Sequence, residues 1–481
     1  MNQFNFRDVV RLSYVAIVTS FLTGCSLAPV YERPSIPVST TWPENLLANG
    51  KTSTEIAASN IGWADFFIDP KLRQVIQIAL DNNRDLRVAA LNIERARALY
   101  RVQRADQLPT FGAGASGARQ RTPADLNDKG FSDVTSSYSA GIGVTSFELD
   151  FFGRVKNLSQ AALERYVATD EAKQTAQIAL IAEVAMRYQA VAANNRLWQL
   201  ASNTVDTRVE SYSRQQALLE QGASSEYDLR QSESLLEAAR VALAQQTRQR
   251  AVDQNALTLL VGRSVDSSLL PNASDIILPT ILANIPAGLP SDLLSSRPDI
   301  RQREALLRSE NASIGAARAA FFPRISLTGS LGTSSSELSG LFDSGSRAWS
   351  FLPQISVPIF DAGRNRANLN VAKADRDIAI AEYEKSIQIA FREVADALAG
   401  TDTLKEELRA SIAQEKAEQI RYVLSKQRYE SGYASYLEFL DAQRALFAVQ
   451  QRTIATELAE VQNRIGLYKA LGGGLKSETD G

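Results

Sequence analysis

The sequence of 481 residues contains no histidine, one cysteine and two methionines. The lack of histidine removes the commonest general base and the commonest metal ligand of proteins. A single cysteine allows neither an intramolecular disulfide nor a thiolate metal cluster. Lys and Arg total 52 against 54 Asp and Glu, so there is no basic excess for binding nucleic acid. These absences argue against most catalytic chemistry, and they predict no cofactor, no metal and no nucleic-acid partner.

Proline and glycine are distributed unevenly along the chain. No proline lies between Pro123 and Pro271 or after Pro358, and the 67 residues of 155–221 contain neither proline nor glycine. Apolar residues recur in this window at helical spacing. One continuous helix of that length would extend about 100 Å, which indicates coiled-coil or tubular packing. A second helix of similar character is predicted over 225–261.

The N-terminus has the pattern of a secretory signal. Arg7 and Arg11 precede the apolar run 12–22, which is too short to span a bilayer as a helix. This run ends in Leu22-Thr23-Gly24-Cys25, which resembles the bacterial lipoprotein cleavage box. The resemblance implies that residues 1–24 are a signal peptide removed during export.

Cys25 is then the predicted lipidation site and the first residue of an N-terminal lipidated segment, 25–70. Ser26 follows at the position where an inner-membrane retention signal usually has Asp, so the family rule implies the outer membrane. The alternative is that Cys25 is an ordinary buried core cysteine.

An internal repeat indicates the architecture. The segment 84–87 recurs as 298–301, and Pro109 recurs as Pro323, in both cases 214 residues further on. Three glycine pairs share an offset of 210: Gly153 with Gly363, Gly222 with Gly432, and Gly262 with Gly472. Because both intervals between these glycines are preserved, we interpret the chain as a tandem duplication. The predicted segments are a first repeat 71–270, a linker 271–298, a second repeat 299–472 and a C-terminal tail 473–481.

Each repeat is predicted to contain a helix, two β-segments, a very long helix and a shorter returning helix. A Gly/Ala-rich segment, 110–119, gives the first β-segment, and the other three alternate apolar with small polar residues. Their apolar positions are Tyr138, Ala140, Ile142 and Val144, then Ile325, Leu327 and Leu331, then Trp349, Phe351, Ile355 and Val357. Segments of about ten alternating residues are typical of transmembrane β-barrels, although one alone would also fit an edge hairpin of a soluble domain.

The number of strands predicts the oligomeric state. Four strands cannot close a barrel, and an open sheet edge is not tolerated in lipid. Two copies of the chain would give about eight strands, whose interior the side chains nearly fill. Three copies would give about twelve and leave a lumen, so we expect a trimer.

Several motifs together resemble the TolC/OprM family of outer-membrane efflux proteins, most closely its lipoprotein branch. The resemblance covers essentially the whole mature chain. It rests on Trp63–Pro70 with Leu72, on Ser296–Arg301, on Gly315–Pro323, on Pro358–Arg364 and on Ala390–Leu398. Each motif alone is a packing or turn motif, whereas the combination is specific.

The resemblance implies a mainly α-helical chain with a transmembrane β-barrel part. A homotrimer would form a 12-stranded barrel in the outer membrane above a long α-helical barrel in the periplasm, with 271–298 in an equatorial belt. The implied function is passive conduction of exported small molecules, with no enzymatic activity. The implied partners are outer-membrane lipid, a periplasmic adaptor protein and an inner-membrane pump of the RND (resistance–nodulation–division) type.

The glycine turns are the expected periplasmic tips. A glycine fits a left-handed C-cap and a following serine fits the next N-cap, so the plain alternative is only a helical hairpin. The resemblance implies adaptor docking at Gly222, Ser224, Ser225, Gly432 and Ser435.

The same resemblance implies a periplasmic gate of acidic residues just past the second turn. The expected gate residues are Glu438 and Asp441, with Asp228 as the repeat partner of Glu438. Glu438 stands where the family more often has Asp, which keeps the charge. Phe439 and Leu440 are candidates for apolar narrowing beside these acids, and the sequence leaves open which of them faces the lumen. The alternative is that the acids form a solvated helix face.

Two other classes of protein compete with the channel interpretation. A trimeric coiled-coil lipoprotein that spaces the envelope would explain the helices and Cys25, but not the paired β-segments of both repeats. An enzyme has little support, because the sequence has no phosphate-binding glycine loop and no Gly-x-Ser-x-Gly motif. The sequence does not identify the exported substrate.

Overall fold

A computed structural model describes residues 26–39, 41–42, 58–128, 130–272 and 290–478. Cys25 and most of the predicted linker 271–298 lie outside these residues. The described part of the chain contains nine α-helices and four β-strands. In chain order they are α1 (Trp63–Phe66), α2 (Pro70–Asn82), α3 (Arg84–Ala105), β1 (Phe111–Thr122), β2 (Asp133–Glu148), α4 (Arg154–Glu220), α5 (Glu226–Val261), α6 (Leu293–Ser296), α7 (Pro298–Ala319), β3 (Arg324–Ser335), β4 (Arg347–Ser356), α8 (Arg364–Glu430) and α9 (Tyr436–Ala470).

The element order repeats, as the sequence predicts. Helices α3 and α7 have 22 residues each, and α4 and α8 have 67 residues each. A glycine with positive φ stands before each long helix, Gly153 at 73° and Gly363 at 86°. Only glycine adopts this conformation without strain, which explains why the pair recurs. None of the described helices is both long and apolar enough to cross a membrane.

The chain divides into two compact units. The first contains the described residues of 1–34, 93–169 and 303–383, and the second contains those of 35–92, 170–302 and 384–481. Neither unit corresponds to one sequence repeat. The predicted boundaries of the repeats, linker and tail stay predictions.

In the first unit, the four strands form one antiparallel sheet in the order β1-β2-β3-β4. The pairing of β1 with β2 extends from Phe111 opposite Val144 to Thr122 opposite Asp133. The β2–β3 pairing contains a bulge between Val144 and Phe147, where Ser146 has a φ of 50°. Strands β1 and β4 are the edges of the sheet, and each has one side without a partner strand in the described chain.

The first unit also holds an ordered N-terminal segment, residues 26–33, which we call the strap. The Ser26 hydroxyl donates to Asn157 at 2.8 Å, and Arg318 donates to the Leu27 carbonyl at 3.0 Å. Arg33 donates two hydrogen bonds to Glu304, at 3.0 and 2.9 Å. The strap therefore contacts both α4 and α7.

The second unit has a large apolar core around α1 and α2. Phe66 and Phe67 are fully buried, and Phe66 stacks on Tyr468 with ring centroids 3.9 Å apart. The Tyr468 hydroxyl donates to the Ile61 carbonyl at 2.6 Å. Burial raises the pKa of this hydroxyl well above its usual range. This contact attaches Ile61, which lies just before α1, to the end of α9.

Candidate functional site

The first tip, residues 221–225, joins α4 to α5. Gly222 has a φ of 68°, and the Ala223 amide donates to the Leu218 carbonyl at 2.8 Å, which ends α4 in a Schellman-type cap. The Ser225 hydroxyl accepts a hydrogen bond from the Asp228 amide at 3.1 Å and so caps α5.

The second tip, residues 431–435, joins α8 to α9 with the same backbone solution. Gly432 has a φ of 77°, and the Tyr433 amide donates to the Arg428 carbonyl at 2.9 Å. The Ser435 hydroxyl accepts from the Glu438 amide at 3.3 Å. The glycine and serine roles expected from the sequence are therefore present at both tips.

Side chains connect the first hairpin, formed by α4 and α5, to the second hairpin, formed by α8 and α9, near their tips. The Ser224 hydroxyl donates to the buried Gln215 side chain at 2.8 Å, and Gln215 donates to the Tyr429 hydroxyl at 2.9 Å. On the surface, Arg214 pairs with Glu430 at 3.2 Å. Ser224 is thus part of a chain of contacts from the first tip to α8, which the sequence does not reveal.

The two predicted gate acids of α9 are exposed, and each has an arginine partner on α8. Glu438 lies 3.4 Å from Arg428, and Asp441 lies 3.2 Å from Arg421. Arg421 also contacts Glu418, at 2.8 Å, so it bridges one carboxylate on its own helix and one on α9. The side chains of Glu438 and Asp441 are 45% and 62% exposed, which leaves both carboxylates accessible to ions.

The third predicted gate residue, Asp228, has different surroundings. Its carboxylate accepts a hydrogen bond from the Ser225 hydroxyl at 2.7 Å, and no arginine or lysine of the described residues forms an ion pair with it. Gln231, which matches Asp441 in the repeat, has a buried side-chain oxygen without a hydrogen-bond partner. The first hairpin therefore carries one acid at the position where the second carries a pair.

Phe439 and Leu440, the apolar neighbours of the gate acids, are both buried. Phe439 is 6% exposed and Leu440 is 1% exposed, because both pack into the hairpin core with Tyr436. Phe439 stacks on Tyr429 with ring centroids 5.8 Å apart. Within one copy of the chain, neither side chain therefore lies on the acidic face of α9, which does not support apolar narrowing by these two residues.

The sheet has two chemically distinct faces. One face is apolar and carries Phe111, Tyr138, Ile142, Val144, Ile325, Leu327, Leu331, Trp349, Phe351 and Ile355. The other face carries small and polar side chains, among them Gly112, Gly114, Ser139, Gly141, Gly143, Thr328, Ser330, Gly332 and Ser350, and it lines a hollow of about 450 Å³. Trp349 and Phe351 are 77% and 59% exposed, so the apolar face has no cover within the described chain.

A charged cluster that the sequence did not reveal lies at the end of the sheet where β2 ends and β3 begins. Glu148 accepts hydrogen bonds from Arg154 at 2.8 and 2.7 Å and pairs with Arg324 at 2.6 Å. The arginine partners of the gate acids were missed in the same way. Both sets join residues from different elements, so spacing along one helix or strand gives no signal for them.

A family comparison identifies the chain. The model of the outer membrane efflux protein family matches residues 75–263 and 289–473. This chain belongs to the outer membrane efflux protein family. The family is one of transport channels, and its members are outer-membrane proteins.

Similar proteins of this family are efflux components. The probable efflux pump outer membrane protein TtgC of Pseudomonas putida is 46% identical over 466 residues, covering 97% of this chain and 96% of that protein. Outer membrane protein OprJ of Pseudomonas aeruginosa is 46% identical over 464 residues, covering 95% of each chain. The open-state MtrE outer membrane channel of Neisseria gonorrhoeae has a TM-score of 0.85 at 39% identity and covers 95% of this chain and 100% of that one.

These comparisons confirm two predictions made from the sequence. The fold class is confirmed, because this efflux family member is mainly helical, has a small sheet and repeats its element order. The predicted function as the outer-membrane component of an efflux system is confirmed by the relatives. The lipidation, gate and docking residues stay predictions.

Proposed function

We propose that three copies of this chain form one passive exit duct of a tripartite efflux system. The observation that carries the proposal is the four-stranded sheet with two unpaired edges and an exposed apolar face. In lipid, each free edge would leave backbone groups without hydrogen bonds. Pairing β4 of one copy with β1 of the next satisfies these groups and gives about twelve strands around a lumen. The apolar face then contacts lipid, and the small polar face lines the conduit.

The duct does no chemistry of its own in this proposal. A periplasmic adaptor docks at Gly222, Ser224, Ser225, Gly432 and Ser435, and an inner-membrane pump of the RND type supplies energy and substrate choice. Toluene, solvents and antibiotics are named for pumps of related proteins, which makes apolar organic molecules the substrate class to assay first.

Glu438 and Asp441 form the periplasmic gate in this proposal. Asp228, which corresponds to Glu438 in the first repeat, contributes a third acid. Each trimer would bring three copies of each carboxylate to the narrow end, which attracts cations and disfavours anions. The exposure of Glu438 and Asp441 supports this role, because a buried acid could not meet the permeating ion.

The gate is tested by replacing both acids of the second hairpin. In planar bilayers under a salt gradient, Glu438→Ala with Asp441→Ala should lower the cation preference and weaken block by multivalent cations. Glu406→Ala with Glu407→Ala is the control, because these acids lie far from the tip in sequence. An unchanged reversal potential in the gate variant would mean that these acids are only a solvated surface.

The chain also carries a lipid anchor at Cys25 in this proposal. Support comes from the strap, because the eight residues that follow Cys25 are held in place by α4 and α7. Intact mass spectrometry of the mature protein should show acylated Cys25 as the first residue. An unmodified Cys25, or cleavage at another bond, would contradict the anchor without touching the channel.

A further inference from the structure

The second hairpin carries basic charge beside both gate acids, and the first hairpin does not. At the offset of 210, Arg421 and Arg428 correspond to Ser211 and Leu218 of α4. Both tips nevertheless share the same glycine cap and serine cap. The arginines are therefore not needed to build the hairpin, and their role must come from what they contact.

What they contact is the acid pair itself. Arg428 Nε lies 3.4 Å from Glu438, and Arg421 Nη2 lies 3.2 Å from Asp441 and 3.4 Å from the Asp441 carbonyl. Their side chains are 57% and 45% exposed. Ion pairs this exposed contribute little to folding stability.

The two arginines affect a passing ion more than they affect folding stability. An isolated carboxylate acts on the ion as a net charge, whereas a carboxylate 3–4 Å from a guanidinium acts as a dipole whose field falls off faster. The Debye length of about 8 Å at physiological salt exceeds the pair separation, so salt does not hide the arginine from an ion near the acid.

We infer that Arg421 and Arg428 are specificity-determining residues of the gate, which set its cation preference by cancelling part of the charge of Asp441 and Glu438. This inference rests on the proposed gate function of the two acids. It implies that the resting gate attracts cations less than a bare acidic ring, because Glu438 has Arg428 as a counter-charge and Asp441 shares Arg421 with Glu418. The gate can then pass neutral and anionic solutes that a bare acidic ring would repel.

The test is the double variant Arg421→Gln with Arg428→Gln, compared with the acid variant Glu438→Ala with Asp441→Ala. In planar bilayers under a salt gradient, the arginine variant should raise the cation-to-anion permeability ratio by a factor of about two or more, since six positive charges leave the trimer gate. The acid variant should move the reversal potential in the opposite direction. Arg421→Lys with Arg428→Lys keeps the charge and should give the wild-type reversal potential.

Two exposed arginines far from the tips in sequence provide a matched control. Arg240 and Arg409 each pair with a glutamate three residues earlier on the same helix, at 2.6 and 2.5 Å. Arg240→Gln with Arg409→Gln removes the same number of charges and should leave the reversal potential unchanged.

Three results would overturn the inference. The first is a higher conductance or open probability with an unchanged reversal potential, which would make the arginines closing contacts. The second is no change of either quantity, and the third is an equal shift in the control variant.

If the acid variant shifts the potential and the arginine variant does not, the counter-charge inference fails while the gate stands. If the acid variant fails to shift it, the gate proposal itself fails. Should the double arginine variant not insert, Arg428→Gln alone should give a smaller shift of the same sign.

Discussion

Helices α3 and α7 hold matching positions in the two repeats and have equal length, but their surroundings differ. None of the residues of α3 is buried. Helix α7 buries residues along its length, including Glu304, Leu307 and Ile314. The duplicated sequence therefore builds the same helix twice and then gives the two copies different partners.

The partner of α7 in the first unit is partly the strap. Glu304, Arg308 and Gly315 of α7 correspond to Ala90, Glu94 and Arg101 of α3. Arg308 lies over the Tyr31 ring at 5.1 Å, and Tyr31 donates to Glu304 at 3.1 Å. The residues of α7 that hold the strap are thus absent from the matching positions of α3.

Among the described residues, none covers the apolar face of α3. Val88, Leu91, Leu99 and Val102 are all more than half exposed. Since a helix repeats about every 3.6 residues, these four positions fall on one face, which Arg95 shares. A second copy of the chain is the occupant that the shared-barrel proposal supplies for this face. In this proposal, α7 is completed by contacts within the chain and α3 by contacts between chains.

The largest expected effect is at this apolar face of α3. Leu99→Asp with Val102→Asp should weaken each subunit interface by about 3 to 6 kcal/mol, the burial energy of two such side chains. Native mass spectrometry in detergent should then show monomers. Arg97→Gln with Arg104→Gln makes the same charge change on another side of the helix and should leave the trimer intact. A stable trimer of the aspartate variant would show that α3 faces solvent in the assembly.

A smaller effect is expected where α7 meets the strap. A Cβ at Gly315 would lie 2.7 Å from the Ala28 amide nitrogen and 2.4 Å from the Asn157 side chain. Gly315→Leu should therefore displace the strap at an overpacking cost of about 1 to 3 kcal/mol. Chymotrypsin should then cleave after Tyr31, whereas the contacts of Tyr31 with Glu304 and Arg308 should protect this bond in the wild-type protein.

The control is Arg101→Leu, at the matching exposed position of α3, which should leave Tyr31 protected. Equal protection of Tyr31 in the Gly315→Leu variant would mean that the strap does not depend on its close approach to α7.

The smallest effect is a pH dependence of the strap. Burial raises the pKa of Glu304, but the hydrogen bonds from Arg308 and Arg33 outweigh it and leave the pKa below its usual value. The stabilising contribution of Glu304 is therefore complete above the unfolded-state pKa of about 4.3 and is lost as the pH falls through the lower folded-state pKa.

A spin label at Val30→Cys reports this loss, because that side chain is 87% exposed and does not hold the strap. The label should become mobile on acidification, and Glu304→Gln should remove this pH dependence. Glu310→Gln, whose acid pairs with Arg165 outside the strap, should keep it. A label that stays immobile through the acidic range in the wild type would contradict the role of Glu304.

The sequence predicts the elements of this chain better than their contacts. The window without proline and glycine, 155–221, predicts α4 almost residue for residue, because helix periodicity and glycine caps are local. The tips were predictable for the same reason. The ion pair of Arg421 with Asp441 was not, because it depends on how α8 and α9 align across the hairpin. Nor was the strap, whose partners lie more than a hundred residues away in sequence.

The central claim is that no single copy of this chain forms a channel. The direct test is native mass spectrometry of the detergent-solubilised protein, combined with planar-bilayer recording of the separated species. The account predicts three copies per particle and conductance from the trimer alone, because only pooled strands close the sheet. A stable monomer that conducts would contradict it.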